Sequence, residues 1–168
     1  MSKNIFIACD TNKTSVAKKI IRYSNTKKLK IGYKFGLEFV NSKNGRSFIS
    51  KIKNKIIFAD LKLHDIPNTC SSTVKAIKDL KINYLTIHIS AGLEALKATK
   101  KVSGSIKLVG VTTLTSIDNT SLKQIGYDKK LKNLVIHQAK LANKAKLDAI
   151  VCSAHEVKYL KKIFKKEI

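Results

Sequence analysis

Proline is almost missing from this chain of 168 residues, with Pro67 the only one. Arginine is nearly as scarce, limited to Arg22 and Arg46, and aspartate and glutamate together number 11. There are three cysteines, Cys9, Cys70 and Cys152, odd in number and widely spaced. That pattern excludes a disulfide framework and a CxxC metal knuckle, and it fits a reducing cytoplasm. No apolar run approaches the ~18 residues of a membrane span. The N-terminal run Ile5–Ala8 is too short for a secretory signal. There is no Pro/Gly-rich linker, low-complexity tract or sequence repeat, so residues 1–168 read as a single domain with a sizeable core.

Lysine is what the chain has in excess. Lys and Arg number 34, and the formal net charge is +23. Such a charge attracts polyanions. A chain that reads bases favours arginine, whose planar fork pairs with guanine. Here the cations are lysines scattered along the whole length, which reads as a solvated surface and predicts no nucleic-acid or membrane partner.

Beneath the lysines lies a repeated pattern. Six short apolar runs, Ile5–Cys9, Leu29–Tyr33, Ile56–Ala59, Tyr84–Ile87, Ile106–Val111 and Ala149–Cys152, read as buried parallel strands. Amphipathic stretches separate them. Thr14–Tyr23 carries Val16, Ile20 and Ile21 on one face. Thr69–Leu80 carries Thr73, Ala76, Ile77 and Leu80, and Leu131–Lys146 carries Leu134, Val135, Gln138, Leu141, Ala142 and Ala145. A last helix is expected over Glu156–Lys166. Strand and helix alternating six times means a parallel α/β sheet, open or closed. An open dinucleotide-binding sheet wants a GxGxxG turn after its first strand, and here Asp10 is followed by Thr11-Asn12-Lys13. Almost every strand ends on a polar residue: Asp10, Lys34, Asp60 with Lys62, His88, Thr113–Ser116 and Ser153. In a TIM (β/α)8-type barrel that rim is the active site, so a barrel with about six βα units is the expected fold.

The densest cluster is Asp60-Leu61-Lys62-Leu63-His64-Asp65-Ile66-Pro67-Asn68-Thr69. On a regular strand Asp60 and Lys62 share a face. Asp65 follows in a loop stiffened by Pro67, and Lys34 lies on the neighbouring strand. Two carboxylates and two ammoniums converging at one rim point to chemistry rather than to an ordinary salt bridge. The long polar stretch Ser116–Tyr127 reads as a lid.

These residues resemble those of the orotidine 5'-phosphate decarboxylase family, bacterial type. The resemblance rests on Ala8-Cys9-Asp10, Gly32-Tyr33-Lys34-Phe35-Gly36, Asp60–Thr69, Leu85-Thr86-Ile87-His88, Val111-Thr112-Thr113-Leu114-Thr115-Ser116 and Val151-Cys152-Ser153-Ala154-His155-Glu156. It implies decarboxylation of orotidine 5'-phosphate to UMP in pyrimidine biosynthesis, in the cytoplasm, with no cofactor and no metal. It implies that Lys62 protonates C6 of the pyrimidine. Asp60 sits against the substrate carboxylate, and Lys34 pairs with Asp60 and bonds the ribose hydroxyls. Asp10 holds ribose, His88 lies near the sugar, and Thr115 and Ser116 meet the pyrimidine. Asp65, with Ile66 and Thr69, enters the neighbouring site of a homodimer.

The family pattern continues beyond six units. Strands seven and eight, with the loop and arginine that grip the substrate phosphate, are expected to be missing, and neither Arg22 nor Arg46 sits at a strand end. The first and sixth strands are then expected to have unpaired edges. Two other readings stand beside the first. One is a Mg²⁺-dependent sugar-phosphate decarboxylase or synthase of the same barrel superfamily, which shares an Asp-x-Lys-x-x-Asp strand end. The other is an inactive fragment or a basic polyanion-binding protein.

Overall fold

The computed structural model describes residues 4–168. It contains six strands: β1 (Ile5–Ala8), β2 (Ile31–Gly36), β3 (Ile56–Leu63), β4 (Tyr84–His88), β5 (Lys107–Val111) and β6 (Ala149–Val151). Their order in the sheet follows the chain, β1-β2-β3-β4-β5-β6. The pairs β1–β2, β2–β3 and β5–β6 are parallel. The helices are α1 (Thr14–Tyr23), α2 (Leu37–Asn41), α3 (Gly45–Lys51), α4 (Pro67–Ala76), α5 (Leu93–Val102), α6 (Asn119–Gln124), α7 (Leu131–Lys144) and α8 (Val157–Leu160). Among the described residues no helix is long and apolar enough to cross a membrane.

The backbone forms two compact units. The first is the chain up to Leu61 together with Ala76–Leu85, and the second is Lys62–Lys75 with Thr86–Ile168.

In the first unit, β2 alternates. Tyr33 and Phe35 are fully buried, and Gly32, Lys34 and Gly36 occupy the opposite face. The β2–β3 register pairs Gly32 with Ile56, Lys34 with Phe58 and Gly36 with Asp60, so the Lys34 face of β2 continues into the Asp60 face of β3. On that face Phe6 meets Phe58 and Tyr84 edge-on, both at 5.1 Å between ring centroids. Gly32 is required there, because a Cβ would come within 2.6 Å of the Phe6 ring. The Asn83 side chain accepts from Ile57 N at 2.8 Å, and Asn83 N donates back to Ile57 O. Arg46 joins α3 to the far end of this unit by bonds to Ala76 O and the Asp79 carboxylate.

In the second unit, α7 buries Leu134, Val135, Gln138 and Ala142 of the expected stripe, but also Ala139, while Leu141 is only half-buried. Asp148 ties α5 to β5: its carboxylate accepts from Lys100 Nζ at 2.6 Å and from Leu108 N at 2.8 Å. Gly110 faces Leu147 and Ile89 so closely that a Cβ would approach both within 3 Å.

Several expected boundaries move. The second strand begins at Ile31 rather than Leu29 and runs through Lys34 to Gly36. The third extends to Leu63 and takes in Asp60 and Lys62. The helix expected over Thr69–Leu80 starts at Pro67, where the missing N–H costs no helical bond, and ends at Ala76. Of the expected face Ile77 and Leu80 are buried, but within the helix the buried positions are Cys70 and Val74 rather than Thr73 and Ala76. A separate 3₁₀ turn covers Lys78–Leu80. In α1 the buried residue is Ala17, and Val16 is 39% exposed. The expected helix Glu156–Lys166 is reduced to a 3₁₀ turn, Ala154–Glu156, followed by α8. After α8 the chain turns back to β6, where Glu167 bridges to Ala149 and Ile150 N donates to Glu167 O at 3.1 Å. The sixth strand therefore has a backbone partner on the side expected to be bare.

Candidate active site

The first unit carries one half of the predicted constellation. Cys9 N donates to Lys34 O at 2.8 Å, which fixes the end of β1 beside Lys34 and sets Asp10 just past it. Lys34 Nζ donates to Asp60 Oδ2 at 3.1 Å and stands 3.8 Å from Asp10 Oδ1. The Asp60 side chain is only 12% exposed, against 72% for Asp10. A buried carboxylate needs a counter-charge, and Lys34 supplies it. Exposed Asp10 gains little from the same ammonium and keeps most of its capacity to accept hydrogen bonds. Cys9, fully buried beside this network, has its thiol pushed up to about 11 by burial first and by the Asp10 charge second, with Lys34 opposing.

The second unit carries the other half, starting at Lys62. Lys62 lies inside β3, yet its φ is +49°, in the left-handed region. The pleat that would put Asp60 and Lys62 on one face by spacing alone does not continue through such a residue. Lys62 N donates to Thr86 Oγ1 at 2.8 Å, and Thr86 is buried. His64 and His88 lie ring to ring at 5.2 Å. Residues 64–69 are all exposed, Ile66 to 65%. Asp65 accepts from Ile66 N, and its backbone carbonyl accepts from Cys70 Sγ at 3.3 Å. Burial pushes the Cys70 thiol up. Asp65, Ile66 and Thr69 thus form a free ledge at the start of α4.

At the ends of β5 and β6, Thr112 Oγ1 donates to Val151 O and Thr113 Oγ1 donates to Gln138 Oε1 at 3.1 Å. A cleft of about 330 Å³ opens here, lined among others by Thr113, Thr115, Lys132, Ser153, Glu156 and Tyr159. Ser116 is exposed next to it. Ser153 is a helix cap: its backbone N donates to Glu156 Oε2, and its hydroxyl accepts from His155 N. Burial and the Glu156 charge push the nearby Cys152 thiol up to about 11.

The stretch Ser116–Tyr127, expected as a lid, has secondary structure of its own. It contains α6, whose Leu122 is buried. The Asp118 side chain accepts from Ser121 N at 2.7 Å as the N-cap, and this bond holds its carboxyl below the usual range. Asn119 Oδ1 accepts from Leu131 N at 2.7 Å and anchors the stretch to α7. Part of the polarity of this stretch is capping chemistry.

A second cleft, of about 400 Å³, lies at the opposite ends of β2 and β3, among Asn25, Lys30, Tyr33, Asn54 and Lys55. It holds none of the predicted residues. Thr86, beneath the Lys62 amide, belongs to the motif Leu85-Thr86-Ile87-His88, in which the resemblance implies a role for His88 alone. Its only sequence signal is a polar residue within the apolar run of β4.

The family model described as "Orotidine 5'-phosphate decarboxylase / HUMPS family" matches residues 3–168. The orotidine 5'-phosphate decarboxylase of Wolbachia sp. subsp. Brugia malayi (strain TRS) is 44% identical over 157 residues, which are 90% of this chain and 68% of that protein. The crystal structure of orotidine 5'-phosphate decarboxylase from Lactobacillus acidophilus aligns with a TM-score of 0.91 at 29% identity, covering 99% of this chain and 79% of that one. The orotidine 5'-monophosphate decarboxylase of Methanocaldococcus jannaschii, complexed with the inhibitor BMP, aligns with a TM-score of 0.79 at 25% identity over 99% of this chain and 76% of that one. The expected fold class, a TIM-type α/β barrel of which six βα units are present, agrees with these structures.

Proposed function

Because the chain belongs to the orotidine 5'-phosphate decarboxylase / HUMPS family, we propose that it decarboxylates orotidine 5'-phosphate to UMP without a cofactor. The observation that carries this reading is the Lys34–Asp60 pair, a buried carboxylate and an ammonium at the ends of adjacent strands. In this reading the bond between C6 and the carboxylate breaks and carbon dioxide leaves. The bonding pair stays on C6 and takes a proton from Lys62 Nζ, and Lys62 regains one from water. A localised carbanion has no ring position to spread into, so a fixed ammonium stabilises it as it forms. Asp60 sits against the substrate carboxylate, although catalysis by that repulsion is a disputed mechanism.

Lys34 bonds the ribose hydroxyls and holds Asp60. Asp10 takes ribose, His88 lies near the sugar, and Thr115 and Ser116 meet the pyrimidine. The exposed ledge of Asp65, Ile66 and Thr69 enters the neighbouring site of a cytoplasmic homodimer, with Asp65 completing the charged set. The 65% exposure of Ile66 supports that role, since an apolar side chain is costly to leave in water.

The test follows the ultraviolet absorbance of orotidine 5'-phosphate with micromolar chain, in 5 mM EDTA and without it. The reading expects loss of substrate and formation of UMP, equal in both conditions. Turnover that stops in EDTA contradicts the cofactor-free reading and points to a divalent metal. No turnover at all contradicts the decarboxylase reading of this chain.

A further inference from the structure

We propose that Thr86 is a positioning residue for Lys62: its buried hydroxyl holds the Lys62 backbone in a left-handed conformation that this strand would otherwise not adopt. The inference rests on the reading of Lys62 as the proton donor and deepens it.

Among the described residues four non-glycine positions have positive φ: Asn54, Lys62, Lys81 and Lys146. Asn54 precedes β3, Lys81 closes a 3₁₀ turn and Lys146 follows α7, all ordinary places for such a residue. Lys62 alone lies within a strand, at φ +49°. A side chain with a Cβ is strained there, and strain of this kind persists only where the surroundings over-determine it. The 2.8 Å bond from Lys62 N to Thr86 Oγ1 is one such determinant. Thr86 is 1% exposed and β-branched, so its own χ1 is stiff and its hydroxyl is held in place. Both residues lie in the second unit.

A strand that turned at Lys62 without this bond would leave a strand amide to find another acceptor. With it, the backbone direction at Lys62 is set before substrate arrives, which is the preorganisation that electrostatic catalysis requires. Valine matches threonine in shape but lacks the acceptor, whereas serine keeps it.

The decisive comparison is of Thr86→Val with Thr86→Ser, by steady-state kinetics and by NMR of the Lys62 amide. We expect Thr86→Val to lower kcat about tenfold or more, with KM and UMP affinity nearly unchanged. We expect Thr86→Ser to stay close to the parent chain. In the parent and in Thr86→Ser, the Lys62 amide should exchange slowly and show the coupling and Cα shift of a left-handed residue. Both signatures should weaken in Thr86→Val. Unchanged kcat and unchanged Lys62 signatures in Thr86→Val would overturn the proposal. So would rapid exchange of the Lys62 amide in the parent chain, a measurement that needs no variant to fold. A parent chain that shows these signatures but no turnover would contradict the decarboxylase reading and leave the backbone hold established.

Discussion

Lys34 and Asp60 form an ion pair across two adjacent strands, 3.1 Å from Nζ to Oδ2, although the strand register places Phe58, not Asp60, opposite Lys34. The long lysine stem reaches one pleat forward to meet the carboxylate. Asp60 is buried, and Lys34 is its charged partner at the mouth of the strand. The two residues therefore act as a unit. Asp60→Asn and Lys34→Met should each lower turnover by about 10²-fold or more. The double variant should lose little beyond either single one, because interacting sites are not additive. Steady-state assays of the three variants check this, and simple multiplication of the two losses would contradict it.

Asp148 makes a testable structural knot. It accepts from Lys100 Nζ and Leu108 N at 2.6 and 2.8 Å, with its side chain 24% exposed. Asp148→Ala leaves a strand amide and a half-buried ammonium without their acceptor. The expected loss is about 1–3 kcal/mol, read as a lower midpoint in urea with an unchanged slope.

The N-cap of α6 gives a pH dependence with a definite sign. Bonding to Ser121 N lowers the folded pKa of Asp118, so the cap's contribution is present above the ordinary carboxylate pKa. It is lost as pH falls through the lowered folded value. Amide exchange at Ser121 and Leu122 should accelerate in acid below the usual aspartate range. In Asp118→Asn, which keeps a cap without the charge, this acid acceleration should disappear.

The thiols are shielded. Cys9 and Cys152 are both pushed up to about 11 by burial, so they remain protonated at pH 8. Native chain should react with a disulfide reagent at pH 8 far more slowly than chain unfolded in guanidinium. In stability terms, a folded pKa raised above the unfolded one gives a contribution that is complete below about 9 and is lost as pH rises towards 11. Equal rates in the native and unfolded chain would contradict the shielding of these thiols, Cys9 buried and Cys152 half-buried.

Much of the fold was legible in the sequence, because buried parallel strands leave short apolar runs that few other structures produce. Boundaries failed where chemistry interrupted periodicity. The apolar runs stop at Tyr33 and Ala59 and put Lys34, Asp60 and Lys62 at the strand ends, whereas β2 runs on to Gly36 and β3 to Leu63. The helices α2 and α3, at five and seven residues, are too short to show an amphipathic period. The C-terminal lysines mimic a helical pattern, yet buried Phe164 and the Glu167 bridge draw the segment back to β6. At the site, spacing drew together Lys34, Asp60, Lys62 and Asp65; of these Lys34 and Asp60 form an ion pair, and Asp10, read only as a strand-end residue, lies 3.8 Å from the same ammonium. Spacing could not reveal the left-handed Lys62 or its bond to Thr86, because neither leaves a trace in residue type.

The most direct test of the central claim is turnover of orotidine 5'-phosphate in D₂O, with UMP analysed by mass spectrometry. Protonation of C6 by Lys62, whose exchangeable hydrogens are deuterium in that solvent, predicts UMP carrying one deuterium at C6 from the native chain and no UMP from Lys62→Ala. Equal UMP from Lys62→Ala, or no UMP from the native chain, would contradict it.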